Sequence, residues 1–192
     1  MTEDATEAQG QKFEPAFAAF LWWRSLNGEG EGKPQSGQDR AALARLRRAS
    51  PQEAMTEEAT LRLFRALRYK NPARLPRVAT LAAALSTIRQ DRQGRFGRQI
   101  GRASIDDEQS AALKLGRFKR LLDAQTEDEI TTAFRRAIAI LGGSANVRDV
   151  ARYVLGFDDE GVRRRLIFDY YAAGESESET ASAEATSAFV SA

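Results

Sequence analysis

Two residue types are missing from this sequence, cysteine and histidine. Without cysteine there is no disulfide framework and no thiolate metal site. Without histidine the chain lacks the commonest general base, the usual partner of a catalytic serine and the commonest zinc ligand. Carboxylates, lysine or tyrosine could still support an enzyme, but no paired-carboxylate motif, phosphate-binding loop or dinucleotide fingerprint is found. A non-enzymatic protein without cofactor or metal is expected. Long apolar runs are missing too, so no segment is suited to crossing a bilayer, and no membrane partner is expected. The first dozen residues are acidic and polar, with neither the basic nor the apolar region of a secretory signal. The expected location is the cytoplasm.

What is present is arginine. Of the 29 basic residues, 24 are Arg and five are Lys. The net charge of +2 conceals an uneven distribution. Residues 1–12 carry Glu3, Asp4 and Glu7 against Lys12, and residues 173–192 carry Glu175, Glu177, Glu179 and Glu184 with no base. The body between them has 28 bases and 20 acids, a charge of about +8. A planar guanidinium fork suits phosphate oxygens, and a basic body suits an anionic partner such as nucleic acid. A genome that encodes Arg wherever a surface needs charge would give the same composition.

Apolar periodicity predicts an all-α fold of two small helical bundles. Residues 1–12 read as an acidic N-terminal tail. Residues 13–103 read as an N-terminal helical domain that ends in a basic connecting loop at 89–103. Residues 104–172 read as a C-terminal bundle, and 173–192 as a disordered acidic tail. Phe13, Phe17, Phe20, Leu21 and the Trp22–Trp23 pair fall at helical spacing, with the tryptophans suited to core or subunit packing and base stacking as the alternative. Ser50-Pro51-Gln52-Glu53 and Thr126-Glu127-Asp128-Glu129 are capping boxes that open helices. Asn71-Pro72 and Gly142-Gly143 are stops. In the connecting loop, Arg89, Arg92, Arg95, Arg98 and Arg102 alternate with Gly94, Gly97 and Gly101. That stretch reads as a basic loop, either a flexible linker or a backbone-amide nest for phosphate, that passes into a short helix near Phe96–Ala103.

Arginine clusters punctuate the remaining helices: Arg45, Arg47 and Arg48; Arg62, Arg65 and Arg68; Arg135 and Arg136; Arg148 and Arg152; Arg163 to Arg165. Each could be an ordinary solvated face. Together, with few acids interleaved, they point to a partner that neutralises them. Gly142-Gly143-Ser144-Ala145 followed by Asn146–Arg152 has the outline of a helix-turn-helix, which leaves a sequence-specific DNA-binding regulator as an alternative. A structural adaptor whose arginines meet acidic protein surfaces is another.

The order of blocks is informative. Phe20-Leu21-Trp22-Trp23 precedes Asp39–Ala49, then a Pro-containing helical region and the basic loop. Arg117-Phe118-Lys119-Arg120-Leu121-Leu122-Asp123-Ala124, Phe134-Arg135-Arg136, Arg163-Arg164-Arg165 and Asp169-Tyr170-Tyr171 follow in turn. Over residues 13–172 this resembles the CasB family, the small subunit of the type I-E CRISPR ribonucleoprotein Cascade. The resemblance implies a non-catalytic subunit of antiviral defence that binds nucleic-acid backbone without sequence specificity. Implied partners are the large subunit, the RNA-carrying backbone subunits, CRISPR RNA, target DNA including the displaced strand, and a second copy of the chain in the same complex. By position in these blocks it implies nucleic-acid contacts at Arg48, Arg74, Arg92, Arg98, Lys119, Arg120, Arg135, Arg136 and Arg164.

Overall fold

The computed structural model describes residues 13–28, 36–103 and 107–171. The acidic tails expected at 1–12 and 173–192 lie outside the described residues. Ten α-helices are found among the described residues: α1 (Pro15–Asn27), α2 (Gly37–Arg48), α3 (Pro51–Ala54), α4 (Glu58–Ala66), α5 (Leu75–Leu85), α6 (Phe96–Ile100), α7 (Leu115–Leu122), α8 (Glu127–Ile140), α9 (Val147–Leu155) and α10 (Glu160–Tyr171). The expected helical class is correct.

Local chemistry sets the helix starts. Both capping boxes read from the sequence form, at Ser50/Glu53 before α3 and at Thr126/Glu129 before α8. A third, Ser36/Asp39, opens α2 two residues ahead of the start the apolar pattern indicates. Asn146 caps α9, its side-chain oxygen accepting from the Asp149 N–H at 2.9 Å. Gly142 and Gly143 close α8 with φ of 68° and 82°, values that side chains disfavour.

At the centre lies α5, where every residue from Arg77 to Leu85 is buried. It packs against α2, α3 and α4 on one side and against α8 and α9 on the other. Its run of alanines (Ala79, Ala82, Ala83, Ala84) lets neighbouring helices approach closely. Trp23, Leu81, Phe96, Phe134 and Tyr170 belong to one apolar cluster that draws on both halves of the chain. A division at 89–103 is therefore not visible in the packing. The tryptophans are core residues as expected, with the Trp22 indole donating to the Ala59 carbonyl at 2.8 Å and that of Trp23 to Ile88 at 3.1 Å.

The basic loop is stitched to the second half. A short parallel pair joins β1 (Gln90–Asp91) to β2 (Ser144–Ala145). The Asp91 carboxylate accepts from the Val147 N–H at 2.9 Å, and the Asn146 amide donates to the Gly94 carbonyl at 2.8 Å. Asp149 accepts from the Phe96 N–H at 2.6 Å, and burial raises its carboxyl above the ordinary value. The buried Asp169 carboxylate receives Arg95 at 2.9 Å and the Tyr153 hydroxyl at 2.8 Å. The glycines here serve packing. A Cβ on Gly101 would stand 2.2 Å from the Tyr170 carbonyl oxygen, and one on Gly97 2.6 Å from the Asp169 Cβ. Neither a free linker nor a phosphate nest describes a segment so closely held against α10.

Glu14, just before α1, clamps α1 to α9 by accepting from both Arg148 and Arg152. The Arg152 hydrogen bond holds its carboxyl below the ordinary value of 4.5, with Arg148 adding to the effect.

Two predictions follow from this packing. Gly101→Ala should lose about 1–3 kcal/mol of unfolding free energy by overpacking. Gly116→Ala on α7, where nothing lies within 4 Å of the added Cβ, should be neutral or slightly stabilising. Denaturant titration of the two variants compares them directly. Glu14→Gln should cost about 0.5–1 kcal/mol at neutral pH, as for a half-exposed ion pair. Because the folded-state value of Glu14 is depressed, its contribution is complete above 4.5 and fades as pH falls through the depressed value. The gap between parent and Glu14→Gln should therefore close in acid, and a gap that widens there would contradict the clamp.

Candidate nucleic-acid interface

Helix α7 is short and strongly one-sided. Phe118 and Leu121 are buried, and Phe118 stacks on Tyr170 with ring centroids 3.8 Å apart. Successive residues on a helix are about 100° apart, so Arg117 and Arg120 share a face while Lys119 points elsewhere. Arg136 on α8 comes up beside that face. Together Arg117, Arg120 and Arg136 border a groove of about 520 Å³, floored by Leu113, Leu121, Ala133 and Ile140. None of the three arginines enters an ion pair among the described residues. An adjoining depression shares Arg120 and Arg136 and is bounded by Asp123, Asp128 and Glu129, which mark where the positive track stops.

Of the nine residues the family resemblance implicates, Arg120 and Arg136 are the pair this groove brings together. Arg117 joins them. It lies within the same sequence block, and its three-residue spacing from Arg120 is the signal that identifies it. Lys119 is exposed on another side of α7. Arg48 is exposed at the end of α2, beside Arg45, Gln52 and Glu53. Arg74 is exposed in a 3₁₀ turn before α5, Arg92 is exposed just after β1, and Arg164 is exposed on α10. Arg98 is half-buried on α6.

Arg135 departs from the expectation. Its guanidinium donates to the carbonyls of Leu46 at 2.6 Å, Ala49 at 2.9 Å and Ala83 at 3.2 Å. These carbonyls belong to the last turns of α2 and α5, where helices run out of their own donors. A cation at these ends also meets the negative pole of the helix dipole. Burial lowers the Arg135 pKa from its ordinary value. Arg135 thus joins two helix ends, with Nε and one terminal nitrogen committed to carbonyls. Two more arginines serve likewise. Arg47 donates to Ser86 at the end of α5, 2.7 Å away, and Arg77 to Val154 near the end of α9, 3.1 Å away. Arg77 is also paired with Glu127 and Asp158.

The helix-turn-helix outline does not give a reading head. On α9, Val147, Val150, Ala151 and Val154 are buried. Arg148 and Arg152, its more accessible residues, are both held by Glu14. The preceding turn is occupied by the β1–β2 pair.

Among the described residues there is no cluster of acidic side chains able to hold a metal ion, and no helix long and apolar enough to cross a membrane. Arg135→Met should cost about 1.5–3 kcal/mol of stability, the range for hydrogen bonds from a charged donor. Arg136→Met should stay within about 0.5 kcal/mol of the parent, as an exposed substitution does. Equal melting curves for the two would contradict the division of roles.

No curated protein and no solved structure matches the chain. The family model described as CRISPR-associated protein Cse2 matches residues 42–171, a span that runs from α2 through α10 and holds the whole α7–α8 groove. The chain therefore belongs to the CRISPR-associated Cse2 family, also called CasB, whose members are structural subunits of type I-E Cascade.

Proposed function

We propose that this Cascade subunit holds nucleic-acid backbone without reading its sequence, and that the α7–α8 groove is where it does so. The observation that carries the reading is the convergence of Arg117, Arg120 and Arg136 with no carboxylate paired to any of them among the described residues. Three like charges at this spacing repel, and a strand of phosphates relieves that repulsion. The described lining offers arginine donors and apolar side chains but no side-chain acceptor, which fits phosphate contact.

In Cascade the sequence information resides in guide RNA pairing, so a subunit that steadies DNA needs no base code. The target is target DNA, above all the strand displaced as the guide pairs. Exchange of one duplex for another is close to balanced, so a few charge-assisted contacts of about 1 kcal/mol each shift it appreciably. The large subunit, the RNA-carrying subunits with their CRISPR RNA, and a second copy of this chain are the proposed neighbours. No catalytic step is assigned to the subunit.

The test is a salt series with single-stranded oligonucleotides of different sequence. Affinity should be similar for all of them, and log K should fall with log salt by about 0.7 per phosphate contacted. Reversing Arg120 and Arg136 to Glu should weaken every oligonucleotide alike and flatten the slope by about 1.4. An unchanged slope, or a preference of about 10³ for one duplex, would sink the proposal.

A further inference from the structure

Phe13, Phe17 and Leu21 follow one another at four-residue steps and so share one face of the α1 region. They are 38%, 39% and 45% exposed, although Ala16, Ala19, Trp23 and Leu26 of the same helix are buried. Together with Arg62 of α4, Arg68 just beyond it and Arg148 of α9, they line an open groove of about 750 Å³. Among the described residues Glu14 is the carboxylate within this lining, and Arg148 and Arg152 already hold it, while Asp39 of α2 stands 3.9 Å from Arg62 as a long, partly exposed ion pair. The Arg68 guanidinium lies over the Phe13 ring at 4.4 Å from its centroid, and that of Arg148 over Phe17 at 5.3 Å. Arg68 reaches its place from a backbone φ of 57°, unusual for a residue with a side chain. The site is thus an apolar trough with a cationic rim, in which Arg68 has no carboxylate partner among the described residues and Arg62 only a distant one, and it is comparable in size to pockets that bind ligands.

We infer that this trough docks an acidic segment with an apolar side, supplied by another protein subunit of Cascade. The inference rests on membership of that assembly. Apolar contacts would cover Phe13, Phe17 and Leu21, and carboxylates would meet the Arg62 and Arg68 rim. Charge complementarity favours this occupant over the others. A strand of nucleic acid could cover the phenyl rings only by stacking its bases, and one face of each ring already carries a guanidinium, while Leu21 offers no ring to stack on. A second copy seated symmetrically would bring the arginine rim against itself.

The experiment uses the full chain assembled with the other Cascade subunits and CRISPR RNA. A photo-reactive benzoylphenylalanine replacing Leu21 should cross-link to a carboxylate-rich segment of a different subunit, identified by mass spectrometry. Leu21→Asp and Arg62→Glu, both at exposed positions, should each lower incorporation into the complex by about tenfold or more. Binding of the free variants to oligothymidine should remain within about twofold of the parent, since the α7–α8 arginines are untouched. Cross-links to RNA, to DNA, to a second copy or to residues 173–192 would overturn the inference. So would full incorporation of Leu21→Asp. If a variant misfolds, the cross-link at Leu21 still decides. Failure of the nucleic-acid proposal would appear separately, as an unchanged salt slope on reversing Arg120 and Arg136.

Discussion

A helix enclosed on every side must have its terminal carbonyls met from within the protein, because water cannot reach them. Helix α5 imposes that constraint here. Every residue from Arg77 to Leu85 is buried, and the helix ends against α2 and α8. Arg47 reaches the Ser86 carbonyl at that end, while Arg135 spans Ala83 and the last turn of α2. Arg77, at the other end of α5, takes the Val154 carbonyl and two carboxylates. A guanidinium suits this work because its planar fork offers several donors at once and its stem packs among apolar side chains.

This gives the arginine content two meanings. One group of guanidiniums closes helix ends and ties the halves of the chain together. Another, on α7 and α8, is exposed and enters no ion pair among the described residues, although Asp123, Asp128 and Glu129 lie in the adjoining depression. The rigidity of the first supports the placement of the second. Arg135 and Arg136 are neighbours on one helix, and the carbonyls that fix Arg135 also fix the orientation of α8, which aims Arg136 at the groove. The phosphate contact proposed for the groove would depend on charge spacing more than on any single bond, so a scaffold that holds the spacing matters.

Much of the fold was legible in the sequence because the signals were local. Ser50/Glu53, Thr126/Glu129, Asn71-Pro72 and Gly142-Gly143 act within a turn or two of where they stand, and each does what its chemistry dictates. Ser36/Asp39 escaped notice because Asp, in place of the usual Glu or Gln, closes the box. Long-range uses were illegible. Nothing near Arg135 marks it as the ligand of carbonyls 86 and 89 residues away. Gly97 and Gly101 looked like freedom and proved to be clearance for α10, which only the packing reveals, while Gly94 turns the chain with a φ of 91°. Phe13 and Phe17 carried the same apolar label as their buried neighbours. Of the candidate interface, the blocks containing Arg120 and Arg136 were recognisable, while the separation of Arg136 from Arg135 required three dimensions.

Under the proposed function, guanidiniums in this subunit divide into those satisfied by the fold and those left for a polyanion. Nitrogen-15 NMR of the arginine side chains, recorded with and without a single-stranded oligonucleotide, reads both groups at once. The Hε signals of Arg47, Arg77 and Arg135 should be protected from solvent exchange in the free protein and unmoved on addition of the strand. Those of Arg117, Arg120 and Arg136 should exchange quickly when free and shift on binding. An Arg135 signal that exchanges freely and moves with the strand, beside Arg117, Arg120 and Arg136 signals that do not, would contradict the account.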